Sequence, residues 1–365
     1  MISFLVGTTA ELIKIAPVYH AVKAAGTRPK LWFTAQHVDE VDDVLSDLDM
    51  HEPDVWLVPK AKAHNLETPA QVPGWALTVA RNAWRRRAEL RAQLTEDGKP
   101  PLVIVHGDTF TTPGGAFIGK RFLGARVAHV EAGCRSGSLL SPLPEEINRK
   151  IAAKIVDLHF APSAREAHNL RKARGAVIDT GANTAIDAMR LAIDGTPADD
   201  DLPEDYGLAT LHRFELLSRP DVYRDAMNAL KEKSAEIPIV YFAGAHERER
   251  MERAGIGDIF DDRFILRPKT RYLKFLPLVA RAKFVVTDSG GLGAECFYLG
   301  KPCAIHRERT ESPQHIGETV VLTGMRKADL DDFLATYKDR VGTSMLDEFH
   351  PTQIIIDTLR TLGYV

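Results

Sequence analysis

Short apolar, β-branched runs alternate along this chain with longer amphipathic stretches. That alternation predicts parallel strands joined by crossover helices. In the first half it predicts strands over Ile2–Val6, Lys30–Thr34, Leu102–His106, Arg126–Val130 and Asp157–Ala161. In the second half the predicted strands are Gly207–Leu211, Ile237–Phe242, Arg263–Leu266, Lys283–Thr287 and Pro302–His306. Each half has enough strands for its own sheet. Between them, Asn183 to Tyr206 reads as a hinge or linker. A predicted helix, Thr184–Ile193, is followed there by DGTPADDDLPEDYG, rich in Asp and Pro. No short-period repeat interrupts the pattern.

Length agrees with that division, because 365 residues at about 150 per domain suggest two domains. With 47 Lys+Arg against 50 Asp+Glu the net charge is −3, so the chain as a whole has no attraction for nucleic acid or an anionic membrane. Any anion it binds must be held by local groups. Cysteine occurs only at 134, 296 and 303, without metal-ligand spacing, which does not describe a disulfide framework and suggests a reducing compartment. The start, MISFLVGTTAE, lacks the basic and apolar segments of a signal peptide, and no window approaches the roughly 20 apolar residues of a membrane span. The expectation is a cytoplasmic protein.

Several predicted strands end in polar loops. In open α/β sheets ligands bind beyond the carboxyl ends of the strands, so facing loops of two domains would form an interdomain cleft. HGDT (106–109) puts Asp108 at a strand end, and HVEAGCRSG puts Glu131 directly after another buried strand, where a carboxylate is costly unless paired or used. SPLPEEINRK supplies Glu145, Glu146 and Arg149, of which Glu145 and Arg149 are four apart on one helix face, a spacing that a surface ion pair also explains. LATLHRFE brings His212 and Arg213 to a strand end, where a core histidine is the ordinary alternative.

In DSGG, Ser289, Gly290 and Gly291 precede a helix predicted over Leu292–Leu299. Glycines and a helix N-terminus suit a phosphate, and Glu295 one turn later suits a sugar diol. Ordinary helix capping explains any one of these loops equally well. Two decoys fail on spacing. GGAFIGKR (114–121) mimics a P-loop but has Arg121 where Ser or Thr is needed, and GxGxxG is absent, so a nicotinamide mechanism has no support.

Taken in order, these segments resemble the non-hydrolysing UDP-N-acetylglucosamine 2-epimerases. The matching segments are GTTAELIKIAPV (7–18), TAQH (34–37), VHGDTFTT (105–112), HVEAGCRSG (129–137), SPLPEEINR (141–149), TGANTAIDA (180–188), LHRFE (211–215), TDSGGLGAE (287–295), LGKP (299–302) and RERTESP (307–313). The resemblance implies an α/β fold of two Rossmann-like domains with an interdomain cleft, the glycosyltransferase-B type. It places an N-terminal domain at 1–185 and a nucleotide-binding domain at 186–349, with a C-terminal helix at 350–365 returning to the first.

The activity it implies is cofactor-independent inversion at C2 of UDP-N-acetylglucosamine to UDP-N-acetylmannosamine, by elimination of UDP to 2-acetamidoglucal and re-addition. Such steps need acid and base groups around the sugar and donors for the departing diphosphate. The resemblance carries the acid/base set onto Asp108, Glu131, Glu145 and His212. It carries substrate binding onto Lys14, Arg149, Arg213 and Arg307 as cations, Ser289, Gly290 and Gly291 at phosphate, Glu295 on ribose, and Tyr272 and Phe275 beside uracil. A core aromatic pair is the alternative for the last two.

It further implies a UDP-sugar partner, no metal or other cofactor, no nucleic acid or membrane partner, and a homodimer. Departures from the family pattern are Thr9 for an arginine, Ala10 for a proline, FAGAHER (242–248) for a histidine-asparagine-proline segment, Val38 after TAQH and Leu216 after HRFE. A hydrolysing 2-epimerase, a UDP-sugar transferase of the same fold and a non-catalytic nucleotide-sugar sensor are the competing readings.

Overall fold

A computed structural model describes the chain except residues 136–143, 196–200, 254 and 311–314, and only the backbone of 195 and 246. The ends of three motif segments, at 136–137, 141–143 and 311–313, and residues 196–200 of the Asp-rich stretch lie outside the described residues.

Two parallel sheets form. The first contains β1 (Ile2–Val6), β2 (Lys30–Phe33), β3 (Val55–Trp56), β4 (Leu102–His106), β5 (Arg126–Val130), β6 (Leu158–Ala161) and β7 (Ala176–Asp179), in the order β3-β2-β1-β4-β5-β6-β7. The second contains β8 (Gly207–Thr210), β9 (Ile239–Ala243), β10 (Phe264–Pro268), β11 (Phe284–Thr287), β12 (Cys303–Ile305) and β13 (Val320–Leu322), in the order β10-β9-β8-β11-β12-β13. Every strand pair among the described residues is parallel, for example Ser3 opposite Lys30 and Phe4 opposite Ile104. Strands covered on both faces read as unbroken apolar runs, and β1, β4 and β9 are buried throughout.

All ten expected strands form, with ends within two residues of the predicted ones. The three that the pattern missed, β3, β7 and β13, are all edge strands. Their two to four residues, largely exposed in β7, offer too little apolar periodicity to see. The helix expected at Leu292–Leu299 instead starts at Gly290, because the Ser289 side chain caps it by accepting Leu292 N–H. The two glycines therefore occupy its first turn rather than a loop. The P-loop mimic lies inside the helix Thr111–Phe117 and its continuation Ile118–Leu123.

By contacts the chain divides into two compact units, Met1–Ala188 with Phe349–Val365, and Met189–Glu348. The helix Ala185–Gly195 carries the chain across that division, and the last helix, Pro351–Thr361, packs in the first unit against the helix Thr9–Ala24. Among the described residues no helix is long and apolar enough to cross a membrane.

In each sheet the strand order reverses direction between two central neighbours, β1 and β4 in the first and β8 and β11 in the second. Loops that leave those strands diverge to opposite faces and open a crevice at the carboxyl ends. Gly133, just beyond β5, shapes one such exit. Its φ is +88°, and a Cβ there would meet the Glu166 carbonyl oxygen at 2.4 Å. Gly133→Ala is expected to lower stability by about 1–3 kcal/mol through that strain. Urea unfolding checks this, and an unchanged midpoint would show that the turn tolerates a side chain.

Candidate active site

Three adjoining strand ends of the first unit supply the charged groups. Glu131 follows β5 in the left-handed conformation, with φ at 67°, a cost of about 1–3 kcal/mol for a non-glycine residue. Its Oε2 accepts a hydrogen bond from Lys14 Nζ at 2.8 Å and lies 3.4 Å from His106 Nε2. Burial by itself would raise the Glu131 carboxyl. Lys14, His106 and a hydrogen bond from Asn183 instead hold it at about 2. His106 is buried at the end of β4, and burial pushes its imidazole down to about 4. Neither of its ring nitrogens has a hydrogen-bond partner.

Asp108, one residue beyond the HGDT glycine, pairs with Arg149. Burial and the neighbouring Glu131 charge push its carboxyl above the ordinary value, against the pull of Arg149 and Lys14. Two carboxyls at adjoining strand ends are thus set apart, one above and one below their usual range. Such a separation is characteristic of acid/base pairs.

The i, i+4 reading of Glu145 with Arg149 is corrected. Arg149 bonds Asp108 and, at 3.4 Å, Glu146, which is itself buried and also approached by Arg135 and Lys150. Helix phase puts Glu146, not Glu145, on the inward face of the helix Glu145–Ile155. Glu145 opens that helix, with its Oε2 buried and unpartnered.

In the second unit, His212 and Arg213 follow β8, and Asp288 follows β11. The fully buried Asp288 accepts the backbone N–H groups of His212 and Arg213 through Oδ2, both at 2.7 Å, and its Oδ1 lies 3.3 Å from His212 Nδ1. Burial lowers the His212 imidazole and raises the Asp288 carboxyl, which the two N–H donors oppose. The lowered imidazole favours the neutral ring, whose Nδ1 lies beside Asp288 Oδ1 without a hydrogen bond between them.

Arg307 approaches Glu215 at 3.4 Å, while Arg213 is exposed. Tyr272 donates its hydroxyl to Glu295, and Phe275 packs edge-on against Phe242 at 5.3 Å, so these two aromatics are not a mutual core pair. FAGAHER completes β9 and begins the helix Ala245–Arg253, whose buried Glu247 accepts Gly244 N–H and Lys269 Nζ.

The structure therefore brings Lys14, Asp108, Glu131 and Arg149 together in one unit, and His212 with Arg213 in the other. Sequence reasoning gave no site role to Glu11, His106, Glu146, Asn183 or Asp288. Each lies inside a motif segment quoted above, but only folding reveals its partner. Among the described residues no group of three or more His, Cys, Asp or Glu is arranged to hold a metal ion.

A family model described as UDP-N-acetylglucosamine 2-epimerase matches residues 20–345. A Bacillus subtilis protein named UDP-N-acetylglucosamine 2-epimerase is 34% identical over 85% of this chain and 79% of its own length. Its Escherichia coli K12 namesake is 32% identical, over 88% and 86%. Among solved structures, the Neisseria meningitidis UDP-GlcNAc 2-epimerase bound to UDP-GlcNAc superposes with a TM-score of 0.77 at 25% identity, covering 99% of both chains.

The Lys14 charge is the main opposition to burial at Glu131. In Lys14→Met the Glu131 carboxyl is expected to rise from about 2 to above the ordinary carboxylate value of about 4.3. Carbon-13 titration of the Glu side-chain carboxyls checks this, and a value still near the original would assign the effect elsewhere. In the unaltered protein the depressed carboxyl stabilises the fold above its ordinary value of 4.5, a contribution lost as the pH falls toward 2.

Proposed function

This chain belongs to the UDP-N-acetylglucosamine 2-epimerase family, and on that premise we propose that it inverts C2 of UDP-N-acetylglucosamine to give UDP-N-acetylmannosamine without a redox cofactor. The C2 proton has no carbonyl beside it to acidify it. The accessible route is elimination of UDP to 2-acetamidoglucal, followed by re-addition with a proton delivered to the opposite face.

The observation that carries this reading is the carboxyl pair at the ends of β4 and β5, with Asp108 raised and Glu131 held down. Inversion needs one group on each face of C2, each acting as acid in one direction and base in the other. Asp108 and Glu131 take those roles. Glu145, buried and unpartnered at Oε2, and His212, beside Asp288, are the supporting acid/base and orienting groups.

Lys14, Arg149, Arg213 and Arg307 supply the cations, several of them now paired with carboxylates that a diphosphate would compete against. Ser289, Gly290 and Gly291 at a helix N-terminus receive phosphate. At Gly291 a Cβ would meet, among the described residues, only Ser289 Oγ at 3.8 Å, which leaves room for a ligand to approach the backbone. Glu295 holds the ribose, and Tyr272 and Phe275 flank the base. The N-terminal unit thus carries the proton chemistry and the C-terminal unit the nucleotide.

We place the enzyme in the cytoplasm as a homodimer. Three cysteines without disulfides agree with a reducing compartment. An aromatic cluster of exposed Trp84 and Phe117 around half-buried Phe122, with ring centroids 5.2 and 5.4 Å from it, suits a second copy.

Turnover in deuterated water is expected to place one deuterium at C2 of recovered sugar nucleotide, with UDP-N-acetylmannosamine accumulating. Free N-acetylmannosamine would identify hydrolysis, and release of UDP only with an added acceptor would identify a transferase. Asp108→Asn and Glu131→Gln should each lower kcat by about 10²–10⁴ while retaining UDP. An active enzyme without exchange sinks the mechanism.

A further inference from the structure

The geometry points to Glu11 as a positioning residue that fixes the loop bearing Asp108, through its hydrogen bond to Thr109, in the epimerase reaction proposed above. This role rests on that reading. Glu11 lies in the first turn of the helix Thr9–Ala24 and is buried. Its Oε2 accepts Gly7 N–H at 2.8 Å and the Thr8 hydroxyl at 3.1 Å, while Glu11 N–H donates to Thr8 Oγ. Those bonds resemble a capping box and by themselves mean only that a helix starts there.

The other oxygen does something a cap does not require. Oε1 accepts the Thr109 hydroxyl at 2.9 Å, a contact 98 residues away across the β1–β4 reversal point. Burial pushes the Glu11 carboxyl up to about 7 against its donors, so retaining a carboxylate there is costly.

Thr109 closes a loop that is pinned at every residue from a different element. Gly107, at φ +63°, donates to Val130 O, and its own carbonyl accepts His129 Nε2–H at 2.7 Å. The Asp108 carbonyl accepts Asn148 Nδ2–H at 2.9 Å, and its carboxylate pairs with Arg149. Without Glu11, the Asp108 loop is tied to β5 and to the helix Glu145–Ile155 but loses this side-chain tie from the β1 exit. That exit approaches closely: a Cβ at Gly7 would meet Thr111 Oγ at 2.2 Å and Thr34 Oγ at 2.3 Å. Loose placement of an acid/base group by a fraction of an ångström lowers the chemical step more than binding.

Thr109→Val removes the bond to Oε1 and leaves the cap intact. Thr111 N–H, which Thr109 Oγ also accepts, keeps Gln36 Oε1 at 3.1 Å. The expected result is a fall of about tenfold or more in kcat, with KM, UDP affinity and Tm near those of the wild type. Thr109→Ser should restore kcat. Glu11→Gln combined with Thr109→Val should cost no more than the larger single change.

A kcat for Thr109→Val within twofold of wild type overturns the proposal, and so does an equal loss in Thr109→Ser. Amide hydrogen exchange of residues 107–110 gives a second reading independent of turnover. Faster exchange in Thr109→Val and Glu11→Gln supports the clamp, and unchanged exchange overturns it. Wild type without C2 exchange in deuterated water would instead refute the epimerase reading, leaving the clamp to be decided by the amide measurement.

Discussion

A carboxylate buried at the end of β5 is the constraint around which the first unit is organised. Glu131 has little access to water, and its backbone sits in a conformation that disfavours any side chain. An ion so placed is tolerated only if opposite charge and hydrogen bonds replace its hydration. Lys14 from the β1 side, His106 from β4 and Asn183 from the segment after β7 all converge on it. Three chain segments far apart in sequence are thereby brought to one point. Burial raises the neighbouring Asp108 carboxyl, and the retained negative charge of Glu131 adds to that shift. The opposed shifts of the two acids thus come from similar burial with different partners.

The doubly wound topology makes that arrangement possible. Parallel strands deliver all their carboxyl ends to one edge of the sheet, so residues following β1, β4, β5 and β7 meet although the chain between them is long. The same logic operates in the second unit, where Asp288 after β11 receives the backbone of His212 and Arg213 after β8. In both units the groups of interest flank the place where strand order reverses. Ordinary capping uses the same strand-end geometry, as Ser289 shows by capping the helix Gly290–Tyr298.

Most of the fold was legible because buried parallel strands are uninterrupted apolar runs that few other structures produce. LVIVH and IVYFA announce themselves, whereas VW in β3 and the exposed AVID in β7 do not, since an edge strand is half solvated. The site was legible in part for a different reason. Charged residues directly after such runs are conspicuous, which singled out Asp108, Glu131 and His212. Glu146 was passed over for Glu145 because their difference is helical phase at a start that sequence does not locate. Glu11 stood out only as one letter of the segment GTTAELIKIAPV, and Asp288 only as one letter of the DSGG loop.

What the sequence determined by itself was the alternation of elements, the presence of two sheets and the motif order that marks the family, because these depend on local apolarity and chain order. What only the tertiary structure decided was pairing. Arg149 with Asp108, Glu131 with Lys14, Asp288 with His212 and Glu11 with Thr109 are matches over 41, 117, 76 and 98 residues. No local pattern encodes such a match, since it arises only when separate strands end side by side and a buried charge must find whatever partner the sheet has brought within reach.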